Sequence, residues 1–120
     1  MKKFALSTII LLGALLIYIP QVSAQEVYAV TEKNGGKIND YYVVTEKIHN
    51  QGNAFAVIIH VVGKNYSYNK YSDWYYAYMN GAWHFVPGGN LAVAMRIDRI
   101  EDPMFRSVVY GVFKTAREYM

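Results

Sequence analysis

Seven aromatic residues fall within thirteen positions of this chain: Tyr66, Tyr68, Tyr71, Trp74, Tyr75, Tyr76 and Tyr78. Planar side chains this dense can stack on the apolar faces of sugar rings. They can also anchor a protein partner, where Tyr and Trp are favoured. Parity sorts them. Asn80-Gly81 suits a two-residue turn with positive φ at both positions. It sets Met79 opposite Ala82, Tyr78 opposite Trp83, Ala77 opposite His84 and Tyr76 opposite Phe85. Alternation then puts Trp74, Tyr76, Tyr78, Trp83 and Phe85 on one face, which reads as the floor of a core. Tyr66, Tyr68, Tyr71 and Tyr75 escape that constraint. Together with His84 on the other face of the hairpin, they are the candidate ligand- or partner-binding residues.

The other chemistry-bearing residues form weaker patterns. His49, His60 and His84 show neither H-x-H nor H-E-x-x-H spacing, so no metal site and no cofactor is expected. Glu46 and Asp73 are the only carboxylates in or beside clear strands, and two-carboxylate chemistry needs a cleft that fixes their separation. No G-x-S-x-G occurs, and Gly88-Gly89 lacks the lysine of a phosphate loop. No residue is assigned a catalytic role, and a small hydrolase built on Glu46, His60 or Asp73 is kept as an alternative.

The elements that must position these residues start after the first 24. Lys2 and Lys3 precede an apolar run from Phe4 to Ile19, and Val22-Ser23-Ala24 has the small residues of a cleavage site. The pattern is that of a signal peptide cleaved between Ala24 and Gln25, leaving residues 25–120 as a single exported globular domain, periplasmic or secreted. Removing Lys2 and Lys3 leaves ten basic against nine acidic residues. So neutral a chain gives no electrostatic reason to expect nucleic acid or stable membrane insertion after cleavage. The absence of cysteine excludes disulfides, thiolate metal sites and lipid attachment at a cysteine.

Within the domain, Val27–Thr31 reads as an edge strand, and Asn34-Gly35-Gly36 as a turn. Tyr41–Ile48 is a strand with Tyr41, Val43, Thr45 and Lys47 on one face, and Tyr42, Val44, Glu46 and Ile48 on the other. Ala54–Val62 is apolar on both faces, as befits a central strand. Lys64–Ser72 is left open between loop and strand, and carries the sequon Asn65-Tyr66-Ser67. Leu91–Ile100 alternates as a strand, with a helix capped by Asn90 as the alternative. Asp102-Pro103 opens an amphipathic helix whose stripe is Phe105, Val108, Val109, Val112, Phe113 and Ala116. The expected fold is α+β: an antiparallel meander of five or six strands packed by one C-terminal helix.

The strand Y-Y-V-V-T-E-x-I at Tyr41–Ile48 and the hairpin around Trp74–Trp83 resemble those of uncharacterised small, cysteine-free exported bacterial proteins. That resemblance implies export and fold and carries no activity. In element order the meander with its helix is also similar to pleckstrin-homology-like and lipocalin-like shapes. The leading expectation is a non-catalytic binding or interaction module of the cell envelope, its partner an envelope protein or a glycan. The first alternative is a carbohydrate- or cell-wall-binding protein that uses the exposed tyrosines.

Overall fold

A computed structural model describes residues 25–120. The segment expected to be a cleaved signal peptide lies outside the described residues. Six antiparallel strands follow one another in a single sheet in chain order. They are β1 (Glu26–Asn34), β2 (Lys37–Asn50), β3 (Ala54–Gly63), β4 (Asn69–Met79), β5 (Ala82–Phe85) and β6 (Met95–Arg96). Among the described residues there is one α-helix, α1 (Pro103–Arg117), which follows the strands. Among the described residues no helix is long and apolar enough to cross a membrane.

The hairpin register is the one its turn dictates. Met79 faces Ala82, Tyr78 faces Trp83, Ala77 faces His84 and Tyr76 faces Phe85. Asn80 and Gly81 supply the two positive φ angles, 52° and 79°. Tyr76 and Phe85 are buried, whereas Trp74 and Trp83 are half-buried against them. Tyr78 does not join the core. It lies at the last turn of the ladder, 48% exposed, with its ring edge-on to Trp83.

Helix α1 lies on this same face. Asp102 caps it by accepting a hydrogen bond from the Met104 amide, and Val108, Val109, Val112 and Ala116 are buried. Val109, Val112 and Ala116 join one core with Val43 of β2, Phe55, Val57 and Ile59 of β3, Tyr76 of β4 and Phe85 of β5. Tyr76 spans the layer and donates its hydroxyl to the Val109 carbonyl at 2.8 Å.

Two bulges bend the meander. One between Tyr28 and Val30 lets Ala29 and Val30 both pack on the core. The other falls between Val44 and His49. It breaks parity within β2, so Ile48 turns to the helix side with Val43 rather than sharing a face with Val44.

The segment Leu91–Ile100 is neither the strand nor the helix its composition suggested. It forms 3-10 turns at Leu91–Val93 and Ile97–Arg99, with only Met95–Arg96 paired to β5. The reason lies in its neighbour. Strand β5 has four residues, so little edge exists for a longer strand to join. Asn90 instead accepts the Ala92 amide and starts a 3-10 turn.

Candidate functional site

The loop from Lys64 to Tyr68 brings two of the candidate tyrosines to the turn between β1 and β2. Asn65 makes that junction. Its side chain accepts from the Ile38 amide at 3.0 Å and donates to the Gly36 carbonyl at 2.7 Å, as a neighbouring strand would. The Gly63 amide closes the loop on the Tyr68 carbonyl at 2.7 Å. A Cβ on Gly63 would lie 2.6 Å from the Tyr66 carbonyl oxygen and 3.1 Å from its ring. Glycine there lets Tyr66 fold back over the strand end.

The result is a cleft of about 380 Å³ on the helix-bearing face, beyond the core. Tyr41 and Trp74 form one part of its wall, with ring centroids 5.9 Å apart. Tyr66 and Tyr68 form another, stacked at 5.9 Å. Between them runs a polar chain. Tyr66 donates to Asn39 Oδ1, Asn39 Nδ2 donates to Glu32 Oε1 at 3.1 Å, and Tyr41 donates to the same oxygen at 3.0 Å. Asn39 is the one buried polar residue among the described residues, and this chain satisfies it. Burial of the Tyr41 hydroxyl, with the Glu32 charge beside it, pushes its pKa well above the usual phenol value. It therefore stays a donor. Glu32 Oε2 takes no hydrogen bond from a described residue, and Ser72 and Lys37 also line the cleft.

Tyr71 sits on the opposite face of the sheet, in a row that crosses four strands as Tyr28, Tyr42, His60 and Tyr71. Its ring stacks on His60 at 4.0 Å and 9°. Glu26 binds both, with Oε1 2.6 Å from His60 Nδ1 and Oε2 accepting the Tyr71 hydroxyl at 2.7 Å. His60 Nε2 lies 2.6 Å from Asn69 Oδ1. Both ring nitrogens thus face oxygen acceptors, the geometry of an imidazolium. Desolvation works against both charges. The hydrogen bonds outweigh it, raising the His60 pKa above 6.5 and lowering the Glu26 carboxyl below 4.5.

The remaining candidates lie farther along this outer face. Tyr75 borders an apolar hollow of about 340 Å³ floored by Ala54, Ala56 and Ala77. His84 points its Nδ1 to the Ala82 carbonyl at 3.1 Å. His60 and His84 share the face but do not meet. Their partners on β4 are Tyr71 and Ala77, six residues or roughly 20 Å apart at strand rise. Glu46, Asp73 and His49 border an open hollow of about 420 Å³. Neither carboxylate is hydrogen-bonded to a described residue, so nothing in that hollow orients either as an acid or a base. Among the described residues no three metal-ligating groups cluster.

Of the five candidates, then, only Tyr66 and Tyr68 share a cleft. Glu32, Asn39, Lys37 and Tyr41 were not singled out from the sequence. One local signal existed: Asn39 continues the core-facing parity of Tyr41 and Val43, a polar residue on an apolar face. No protein-family model, curated protein or solved structure gives a significant match to this chain.

Proposed function

We propose that the chain is an exported, non-catalytic binding module of the cell envelope, and that its ligand is a glycan held in the cleft of Tyr41, Tyr66, Tyr68 and Trp74. The observation that carries this reading is the pairing of aromatic walls with a fixed polar floor. A pyranose has an apolar face of C–H groups that packs on an aromatic ring, and a rim of hydroxyls that needs donors and acceptors. Small-molecule sites are generally apolar hollows with a few placed polar groups, and about 380 Å³ lies within their usual range. Glu32 offers a carboxylate oxygen to hydroxyl protons. Its other oxygen is held by Asn39 and Tyr41, so the acceptor is oriented before any ligand arrives, which lowers the ordering cost of binding.

Retention on insoluble peptidoglycan and on a panel of immobilised polysaccharides tests the reading. The wild-type chain is expected to be retained by at least one of them. The double variant Tyr66→Ala/Tyr68→Ala is expected to bind about tenfold or more weakly, since truncating an aromatic anchor typically costs over 1 kcal/mol. Its near-UV circular dichroism should still report a folded core, because neither ring belongs to the buried cluster. Equal retention of the two proteins would sink the proposal.

A further inference from the structure

Four lysines gather at the end of the sheet that holds the cleft, although they are scattered in the chain. Lys33 and Lys37 flank the turn between β1 and β2, and Lys64 and Lys70 flank the loop between β3 and β4. All four are exposed. Two of them border the aromatic wall itself. Lys37 Nζ lies 5.1 Å from the centre of the Tyr66 ring, and Lys70 Nζ lies 6.0 Å from that of Tyr68. Neither ammonium is paired with a carboxylate among the described residues. Asp40, nearby in the strands, accepts the Thr31 hydroxyl at 2.6 Å, and Glu32 keeps one oxygen on Asn39 and Tyr41 and leaves the other for hydroxyl protons of the ligand.

We infer that the ligand is an acidic glycan whose anionic substituents are met by Lys37 and Lys70 while its ring packs against Tyr66 and Tyr68. The inference rests on the glycan reading above and adds a charge class to it. The near-zero charge of the whole domain hides this feature, because the lysines are concentrated by topology rather than by sequence. Ammonium groups held over two neighbouring rings suit a chain with an anion on each residue or on alternate residues, such as a uronic-acid polymer. A neutral sugar leaves both lysines in water. An acidic one replaces water around them with an opposite charge, which strengthens binding in a salt-dependent way.

The test is titration calorimetry with three soluble probes of similar length: a neutral oligosaccharide, an oligouronate and oligothymidylate. The full exported domain serves as the protein, with Lys37→Gln/Lys70→Gln as the variant. The oligouronate is expected to bind about tenfold tighter than the neutral sugar, as two rim ion pairs allow, and this margin should shrink as salt is raised. The double variant should lose the margin between the two sugars, whatever it does to the affinity they share. If both sugars bind the wild type alike, and the lysine variant changes neither, the acidic preference is overturned while the glycan reading stands. If neither sugar binds, both fall. Tighter binding of oligothymidylate than of either sugar would overturn both in favour of single-stranded nucleic acid.

Discussion

Tyr76 is 1% exposed, yet it keeps a hydroxyl. That hydroxyl is donated to the Val109 carbonyl, so it ties sheet to helix at the centre of the molecule. Burial drives its pKa far above the usual value, so the group remains a donor. Removing only the oxygen, as Tyr76→Phe, should cost about 1 kcal/mol, the usual net value of one hydrogen bond. Removing the ring, as Tyr76→Ala, should cost about 3–5 kcal/mol because a cavity opens beneath the helix. Urea unfolding of the two variants measures both, and similar losses would mean that the ring contributes nothing beyond its hydroxyl. The Glu26–His60 pair gives a second prediction at this scale. The His60 pKa is raised in the fold, so its contribution is complete below 6.5 and is lost as pH rises through the raised value. The Glu26 pKa is lowered, so its contribution is complete above 4.5 and is lost as pH falls through the lowered value. The stability difference between the wild type and Glu26→Gln should therefore be greatest between pH 4.5 and 6.5 and narrow on either side. A difference that does not vary with pH would show that the pair is not ionised in the fold.

Packing between elements makes a different demand. Helix α1 approaches β1 so closely that a Cβ on Gly111 would stand 2.8 Å from the Val30 Cβ. Alanine is worth about 1 kcal/mol over glycine in a helix interior, but overpacking of this kind costs about 1–3 kcal/mol. Gly111→Ala should thus destabilise, by about 1 kcal/mol, where propensity alone predicts a gain. Adding Val30→Ala should restore part of the loss, so the pair should be non-additive in urea melts; strict additivity would place the strain elsewhere. The Asn65 clamp carries the contact of β2 and β3 past the end of their ladder to the turn at Gly36. Asn65→Ala should weaken glycan retention by several-fold and lower the melting temperature by roughly 4–8 °C for each kcal/mol lost, two exposed hydrogen bonds being worth about 1–3 kcal/mol, while the unfolding transition stays cooperative because the loop they hold is outside the core. A variant with unchanged retention would show that the loop needs no clamp. These elements were legible to different degrees. The hairpin was readable because a two-residue turn fixes register by itself. The segment Leu91–Ile100 was not, because alternation makes a strand only where a neighbour offers an edge, and β5 is too short to offer one.

At the scale of the whole molecule, the cleft could not be read in advance. Glu32, Asn39, Tyr66 and Trp74 lie on four different elements, and only the antiparallel order of β1 to β4 brings the first turn and the third loop to the same end. The aromatic cluster was conspicuous in the chain, but the sheet distributes it. Tyr76 enters the core, Tyr71 and Tyr75 go to the outer face, and Tyr66 and Tyr68 go to the cleft. The core was more legible, since the stripe of α1 and the aromatic face of the hairpin each lack a partner until they are placed together. That mutual need yields a final prediction. Val43, Phe55, Val57, Ile59, Tyr76 and Phe85 are covered by one helix that offers Val109, Val112 and Ala116 in return. Burial of a large aliphatic or aromatic side chain is worth about 1.5–3 kcal/mol, so uncovering half a dozen forfeits about 10 kcal/mol or more. That is as large as the entire stability of an ordinary domain, about 5–15 kcal/mol. A chain ending at Glu101 should therefore lose its near-UV circular dichroism and its cooperative urea transition, although every strand remains in it. Supplying Asp102–Met120 as a separate peptide should restore both in proportion to its concentration, by mass action. A truncated chain that melts cooperatively without the peptide would mean that the meander is stable alone and the helix an accessory.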